Sequence, residues 1–494
     1  MIDVLETSDG WDWAITADRA GPVDRATFTF DAGPAGDDPR IYRHGYQSWS
    51  PSGEARLGVD VDPSSQPTLS LVRGMHHADP EPVTDPHQLR SELVTVVNGT
   101  CYGFLGGTDH DGTFRIRLRD GRIEVTVEAF LGGAHLAAGE TRVLHPVRRF
   151  ASLDDWAVAY GAANAARVDA PYQVGWCSWY HWFSEISEDA LRQQLALAAD
   201  WPFDVFQLDD GFQAQVGDWL DTNEKFPTSV DGIASSIRAA GRTPGIWIAP
   251  FLAAPASEVA QQHPDWLARH AATGDPLRGS YNDHWGGSVG TLDTTNPDVL
   301  AHLEHVGRSL VEAGFDYLKL DFTYAPSLPG IYADPTRTPA QRVRAGMEAV
   351  RRGAGDDAFI LGCGLPLAQA VGVVDGMRIG ADVAPRWDPP PQVWEGALYD
   401  GVAPSTANAL RNTISRQFMH RRLWLNDPDC LMLRTSETEL TPEQVERWAL
   451  AVGESGGMAL VSDDLALLDD GSRALLDRVL ALGRAADAAV TAPS

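Results

Sequence analysis

The stretch Tyr317-Leu318-Lys319-Leu320-Asp321 is a short apolar strand that ends on a carboxylate, and it decides how the second part of the chain is interpreted. Short apolar strands of this length recur from residue 170 onward, and helical stretches separate them. The eight predicted strands cover residues 173–177, 205–208, 245–249, 317–321, 359–363, 376–381, 423–426 and 458–461. This alternation predicts a (β/α)8 TIM barrel. A doubly wound open sheet is the rival fold, but no GxGxxG follows the first strand, which argues against a dinucleotide-binding domain.

The residues before residue 170 have a different pattern of apolar and polar side chains. Phe114-Arg115-Ile116-Arg117-Leu118-Arg119 alternates apolar and polar side chains, and the alternation resumes at residue 122 after the turn Asp120-Gly121. This pattern is typical of a β-hairpin. We therefore expect an N-terminal antiparallel β-sandwich over residues 1–165. An Ala-rich helix over residues 153–168 would link it to the barrel domain, residues 166–494, whose terminal helix covers residues 472–489.

The composition limits the partners. The chain has 494 residues with 39 basic and 68 acidic side chains, a net charge of −29. Such a field repels nucleic acid and anionic membranes, so a neutral substrate such as a sugar is expected. Lys225 and Lys319 are the only lysines. An acidic surface that avoids lysine predicts adaptation to high salt. The alternative explanation for the scarcity of lysine is a GC-rich genome that favours Arg codons.

The termini and the cysteines add further expectations. The acidic N-terminus, Met1-Ile2-Asp3-Val4-Leu5-Glu6, has no apolar core of a secretory signal, and no apolar run approaches the roughly 20 residues of a membrane span. The sequence thus predicts a cytoplasmic protein. The four cysteines have no zinc-ligand spacing, so we expect no structural metal.

Carboxylates follow several predicted strands. Asp209 and Asp210 follow the second strand, Asp321 ends the fourth and Asp382 follows the sixth. Because chemistry in a TIM barrel occurs at the C-terminal ends of the strands, these side chains are expected to meet in one acidic pocket. Asp427 and Asp463, after the last two strands, are interpreted mainly as turn and cap residues.

Two of these acids have a cation on the same strand face. Lys319 and Asp321 are two residues apart, and Arg378 and Asp382 are four apart. A buried structural ion pair is the alternative interpretation of the first pair. A nucleophile that must be ionised and an acid that must hold a proton are what a retaining glycosidase needs, with the two carboxyls about 5 Å apart. Aromatic residues cluster after the first strand, as sugar platforms often do.

Four motifs carry a family resemblance. They are Gly175-Trp176-Cys177-Ser178-Trp179-Tyr180, Phe206-Gln207-Leu208-Asp209-Asp210-Gly211-Phe212, Gly245-Ile246-Trp247-Ile248-Ala249-Pro250-Phe251 and Tyr317-Leu318-Lys319-Leu320-Asp321-Phe322. In order and spacing they resemble the melibiase-type α-galactosidases and their plant raffinose- and stachyose-synthase relatives. The resemblance implies an N-terminal β-supersandwich, a (β/α)8 barrel, a retaining mechanism, an oligosaccharide substrate and no cofactor. The C-terminal β-domain usual in the family has no counterpart in the sequence, so we expect it to be absent.

The resemblance also implies roles for individual residues. Asp321 would be the nucleophile and Asp382 the acid/base. Asp209 and Asp210 would hold the O4 and O6 hydroxyls of galactose. The remaining implied sugar contacts are Trp176, Lys319, Arg378, Trp49 in the segment Gly45-Tyr46-Gln47-Ser48-Trp49, and Cys363.

The predicted function is hydrolysis of terminal α-linked galactose. The alternatives are an α-galactosyltransferase, an α-N-acetylgalactosaminidase or α-glucosidase, and a sugar-binding protein with an inactive barrel. Intact Asp321 and Asp382 argue against the last of these. The sequence leaves the oligomeric state open.

Overall fold

The computed structural model describes residues 1–66, 68–390 and 401–491. Its first part is built from antiparallel strands. They are β1 (Ile2–Glu6), β2 (Gly10–Thr16), β3 (Gly21–Pro34), β4 (Arg40–Arg43), β5 (Gly53–Arg56), β6 (Gln88–Glu92), β7 (Val94–Val97), β8 (Thr100–Phe104), β9 (Asp111–Arg119), β10 (Arg122–Leu136) and β11 (Thr141–Phe150). They form a seven-stranded sheet in the order β1-β2-β11-β8-β7-β4-β5 and a four-stranded sheet in the order β3-β10-β9-β6. The predicted antiparallel sandwich is confirmed.

The hairpin of β9 and β10 shows why this part folds as sheets. Ile116 and Val125 pair across the two strands and are fully buried, while the arginines between the apolar residues of β9 point to the other face. Asp120 and Gly121 at the turn have φ angles of 49° and 73°. Two consecutive left-handed residues make the tight turn whose twist matches that of paired strands, and Asp-Gly favours it.

The second part contains the remaining strands. They are β12 (Val174–Cys177), β13 (Val205–Leu208), β14 (Gln213–Gln215), β15 (Asp218–Thr222), β16 (Thr243–Ile248), β17 (Leu252–Ala253), β18 (Arg278–Asn282), β19 (Gly287–Thr291), β20 (Tyr317–Leu320), β21 (Phe359–Gly362), β22 (Gly376–Arg378), β23 (Leu425–Asp427) and β24 (Ala459–Val461). Eight of them form one parallel sheet in the order β23-β22-β21-β20-β16-β13-β12-β24. The smaller sheets β14-β15 and β17-β19-β18 lie in the loops. All eight predicted barrel strands are present.

Backbone hydrogen bonds close the seam between the first and last strands of this order. The N–H of Met458 donates to the carbonyl of Asn426 at 2.9 Å, and the N–H of Leu431 donates to the carbonyl of Leu460 at 2.7 Å. Every residue of β13 and β20 is buried, because one face packs in the lumen and the other against helices. The chain therefore forms the predicted TIM barrel.

Helices connect and cover these strands. They are α1 (Ser70–His76), α2 (Leu153–Ala163), α3 (Trp179–Trp182), α4 (Glu188–Leu197), α5 (Val230–Ala239), α6 (Glu258–Gln262), α7 (Pro297–Glu312), α8 (Pro339–Ala354), α9 (Leu367–Ala370), α10 (Thr406–Ser415), α11 (Pro442–Glu454) and α12 (Asp470–Thr491). Thr338 and Thr441 begin α8 and α11 with capping boxes, each followed by Pro at the first helical position. In the described ranges, every helix is too short or too polar to cross a membrane. The domain division at residue 165 stays a prediction; α2 lies between the antiparallel sheets and β12.

One segment of the N-terminal part reaches onto the barrel. Residues 45–52, which we call the bridging segment, follow β4. Gln47 forms an isolated β-bridge with Pro366 in the loop after β21. The hydroxyl of Ser48 accepts a hydrogen bond from the N–H of Gly364 at 2.9 Å. These contacts place Trp49 at the C-terminal end of the barrel.

Candidate active site

A cavity of about 170 Å³ lies at the C-terminal ends of the barrel strands. Four carboxylates and one ammonium line it: Asp209, Asp210, Asp321, Asp382 and Lys319. The other described lining residues are mostly aromatic or apolar: Trp49, Met75, His76, Trp179, Tyr180, Trp247, Asn282, Trp285, Phe322, Val402 and Pro404. The predicted convergence of strand-end acids on one pocket is thus present in the geometry.

Asp321 follows β20 and is held from several sides. Its Oδ2 accepts a hydrogen bond from the indole N–H of Trp247 at 3.0 Å, and its Oδ1 accepts one from the backbone N–H of Phe322 at 2.7 Å. Phe322 has a φ of 52°, a left-handed conformation that costs free energy in a non-glycine residue and that turns the chain at the strand end. The side chain of Asp321 is only 9% exposed. Its carboxylate is therefore fixed at the cavity wall.

Lys319 lies between two of the acids. Its ammonium donates to Oδ2 of Asp209 at 2.8 Å and lies 4.0 Å from Oδ2 of Asp321. Burial opposes the charge, but the carboxylates of Asp209 and Asp321 outweigh it and raise the pKa of Lys319 well above its ordinary value. Lys319 therefore stays cationic, with Asp209 as its nearest partner and Asp321 as the second.

The Asp209–Asp210 pair is held by side-chain amides and an indole. Gln207 donates to Oδ2 of Asp209 at 2.6 Å. Gln213 donates to Oδ1 of Asp210 at 2.6 Å, and Trp285 donates to its Oδ2 at 2.8 Å. Burial, reinforced by the charges of Asp209 and Asp321, raises the pKa of Asp210 to about 6. Carboxylates fixed in this way present their remaining lone pairs to a polar ligand.

Asp382 differs from the other acids of the cavity. It lies four residues beyond the end of β22, and its side chain lines the cavity with 34% of its surface exposed. Arg378 donates to its Oδ1 at 3.0 Å. Burial raises the pKa of Asp382 to about 7, and although Arg378 opposes this shift, the charges of Asp429 and Asp321 reinforce it. A carboxyl that titrates near neutrality suits proton transfer in both directions.

Two of the implied sugar contacts, Arg378 and Cys363, are not among the described residues that line the cavity. Arg378 is buried, and its guanidinium also pairs with Asp427 at 2.9 Å and Asp429 at 2.8 Å. It holds Asp382 through this network of ion pairs. Cys363 is buried beneath Trp49, in the small apolar cluster that supports that ring. For both residues, direct contact with the sugar stays a prediction.

Trp176 lies outside the barrel lumen and is not among the described residues that line the cavity, and its implied contact with the sugar stays a prediction. Its ring is fully buried, stacks on Phe206 at a centroid distance of 4.3 Å and donates its indole N–H to the carbonyl of Asp463 at 2.9 Å. The next residue, Cys177, points inward, since its Sγ lies 3.6 Å from Oδ2 of Asp209. Because side chains alternate along a strand, Trp176 must point outward.

Sequence reasoning missed several lining residues because they come from outside the barrel strands. Asn282 and Trp285 belong to the loop sheet β17-β19-β18 and the turn after β18, while Met75 and His76 come from α1 of the N-terminal part. Burial lowers the pKa of His76 to about 3, so its ring is neutral. Within the described ranges, no group of three or more His, Cys, Asp or Glu side chains is placed to hold a metal ion.

Comparisons with known proteins agree with this geometry. The Melibiase family model matches residues 171–342. The α-galactosidase AgaA of Geobacillus stearothermophilus is 26% identical over 152 residues, which are 29% of this chain and 20% of that protein. The aligned region thus spans about a fifth of that curated relative's length.

The solved structures give a longer match. TtGalA, an α-galactosidase from Thermus thermophilus in complex with p-nitrophenyl α-D-galactopyranoside, is 28% identical and aligns over 97% of this chain and 94% of its own, with a TM-score of 0.74. A structure of the same enzyme in complex with stachyose aligns at 27% identity over 97% of this chain and 99% of its own, with a TM-score of 0.74. The family model, the curated relative and the full-length structural match point the same way: the chain is similar to the melibiase-type α-galactosidases.

Proposed function

We propose that this protein hydrolyses terminal α-D-galactosyl residues of oligosaccharides with retention of the anomeric configuration. The observation that carries the proposal is the pairing, in one cavity, of a fixed carboxylate at Asp321 with a carboxyl at Asp382 that titrates near pH 7. The Thermus relative, which binds p-nitrophenyl α-D-galactopyranoside and stachyose, supports galactose as the sugar.

The two carboxyls divide the chemistry between them. Asp382 gives its proton to the glycosidic oxygen while Asp321 attacks the anomeric carbon; the bond to the leaving group breaks and a covalent glycosyl-enzyme forms. Asp382, now ionised, removes a proton from water. The water oxygen attacks the anomeric carbon, which releases the sugar and restores Asp321. Two inversions give net retention.

The other lining residues bind and orient the sugar. Asp209 and Asp210 accept hydrogen bonds from hydroxyls, which we assign to O4 and O6 of galactose. Lys319, fixed by its ion pair with Asp209 at 2.8 Å, donates to a third hydroxyl. The rings of Trp247 and Trp285 form an apolar part of the cavity wall, which suits the C–H face of a pyranose.

The test uses the purified full chain and nitrophenyl α-glycosides of galactose, glucose and N-acetylgalactosamine. We expect turnover of the galactoside, release of the α-anomer as the first product, and a loss of at least about 10³-fold in kcat for Asp321→Asn. The exposed Asp477 provides a matched control, and Asp477→Asn should be unchanged. A folded protein that leaves the galactoside intact, or an Asp321→Ala variant with near-normal activity, would refute the proposal.

We further propose that the enzyme works best at high salt. The charge of −29 and the near absence of lysine support this, because dense carboxylates repel one another unless ions screen them. Thermal melting and galactoside hydrolysis should both improve between 0.05 M and 2 M NaCl. Melting temperatures that are equal or fall across that range would contradict the proposal.

A further inference from the structure

Arg416, the C-cap residue that follows α10, is fully buried, and among the described residues its side chain hydrogen-bonds only to backbone carbonyls. Its Nη1 donates to the carbonyl of Ser48 at 2.6 Å, and its Nη2 donates to those of Gly45 and Gln47, each at 3.1 Å. These three acceptors belong to the bridging segment. Nη1 also donates to the carbonyl of Ile379 at 2.8 Å, three residues before Asp382. One guanidinium thus joins the bridging segment to the barrel loop that carries the proposed acid/base.

Burial of an arginine at this position costs the free energy of desolvating its charge. The position is therefore explained best if the geometry of its hydrogen bonds is required. No carboxylate of the described residues lies within ion-pairing distance of Arg416, and burial lowers the pKa of its guanidinium. A neutral side chain of similar volume would fill the space without the desolvation of a charge. The planar fork of arginine is the side-chain group that reaches several carbonyls at fixed angles, which neither lysine nor an apolar residue reproduces.

The neighbours of Arg416 complete the attachment. Asn412, on the same helix, donates to the carbonyl of Ser50 at 3.0 Å and accepts from the N–H of Ser52 at 3.1 Å. The residue that this fixed segment presents is Trp49. Its ring lies on the cavity wall, edge-on to Phe322 at a centroid distance of 5.4 Å.

We propose that Arg416 is a positioning residue that acts through the bridging segment and sets the distance between Trp49 and the loop of Asp382. The proposal rests on the hydrolysis proposed above. Because Trp49 shapes the wall and transfers no proton, loss of the link should weaken substrate binding more than the chemical step. The effect should also need Trp49, since that ring is what the segment places.

The kinetic test is a double-mutant cycle with p-nitrophenyl α-galactoside. Arg416→Met should raise KM about tenfold and change kcat less than threefold, and it should have less than a twofold effect in a Trp49→Ala background. Arg478→Met, an exposed arginine on α12, is the control and should be neutral. An Arg416→Met effect of the same size with and without Trp49, or a loss confined to kcat, would overturn the proposal.

A second readout does not need turnover. Hydrogen exchange in peptides that cover residues 45–52 should be faster in Arg416→Lys than in the wild type, while peptides of the β9–β10 hairpin should not change. Arg416→Lys keeps the charge and most of the volume, so it serves if Arg416→Met does not fold. Unchanged exchange in residues 45–52 would overturn the proposal even in an active enzyme. A wild type that hydrolyses no galactoside would instead refute the proposed function, with the exchange result still reporting on the Arg416 link.

Discussion

In the proposed mechanism Asp382 is the proton donor, so its pKa sets the pH at which the cavity loses that donor. Burial raises its pKa from 3.8 to about 7, against the pull of Arg378 and with the help of Asp429 and Asp321. Below pH 7 the carboxyl is mostly protonated and can assist the leaving group. Above pH 7 it is mostly ionised, so the first step loses its acid.

The size of the effect follows from the titration of one group. The protonated fraction of Asp382 falls to roughly a tenth at pH 8 and roughly a hundredth at pH 9, if the pKa is about 7. Hydrolysis of raffinose, whose leaving group is a poor one, should lose kcat/KM in the same proportion. A nitrophenolate departs without a proton, so the nitrophenyl galactoside should lose much less over the same range.

The assay measures kcat/KM from pH 5 to pH 9 for both substrates, with circular dichroism to check that the protein stays folded. Asp382→Ala should abolish raffinose hydrolysis, retain part of the nitrophenyl activity and regain turnover with azide, which attacks the glycosyl-enzyme without a base. A raffinose profile that stays flat to pH 9 would refute the reasoning. So would two substrates that decline in parallel together with an Asp382→Ala variant that still cleaves raffinose.

Three further outcomes test the supporting structure. Gly364→Ala should raise KM for the nitrophenyl galactoside severalfold, because φ is +56° and a Cβ would lie 2.8 Å from the ring of Trp49; an unchanged KM would contradict that contact. Trp176→Phe should lower the free energy of unfolding by about 1–3 kcal/mol through its lost hydrogen bond but leave KM within about twofold, and a large KM effect would instead indicate direct contact with the sugar. Burial raises the pKa of Glu92 from 4.5 to about 7, so its protonated form contributes stability that is complete below pH 4.5 and lost as the pH rises through 7. Urea unfolding should therefore show Glu92→Gln equal to wild type at pH 4.5 and more stable by up to roughly 3 kcal/mol at pH 8, whereas the exposed control Glu224→Gln should show no such difference.

Patterns in the sequence were enough to predict the barrel because they are local. A strand such as β20 is apolar over its whole length since both its faces are buried, and the Asp that follows marks its C-terminal end. The hairpin of β9 and β10 was predictable for the same reason, because the alternation of apolar and polar side chains and the Asp-Gly turn lie in consecutive residues. The acids of the cavity follow from the same rule, as strand ends in a barrel meet at one rim.

Some contacts in the cavity could not be predicted from the sequence, because they depend on the register between distant strands and on the paths of loops. The nearest partner of Lys319 is Asp209 and not Asp321. This pairing follows from the register in which β13, β16 and β20 align. Trp285 and His76 reach the cavity from insertions whose paths no periodicity encodes. The outward position of Trp176 follows from the same strand alternation that puts Lys319 and Asp321 on one face, because its neighbour Cys177 points inward to Asp209.

The cavity is lined by residues from both parts of the chain, and the residues proposed for the chemical step come from a different part than those that shape the pocket. Asp321 follows β20 directly and Asp382 is tied by Arg378 to the end of β22, so both belong to the barrel framework. Trp49 in the bridging segment and His76 in α1 come from the N-terminal part and line the same cavity. Substitutions in those two segments can therefore change the size of the cavity while the distance between the two carboxyls stays fixed. Variation in substrate among proteins built this way should accordingly concentrate in the N-terminal contributions, whereas variation at the strand ends should abolish hydrolysis.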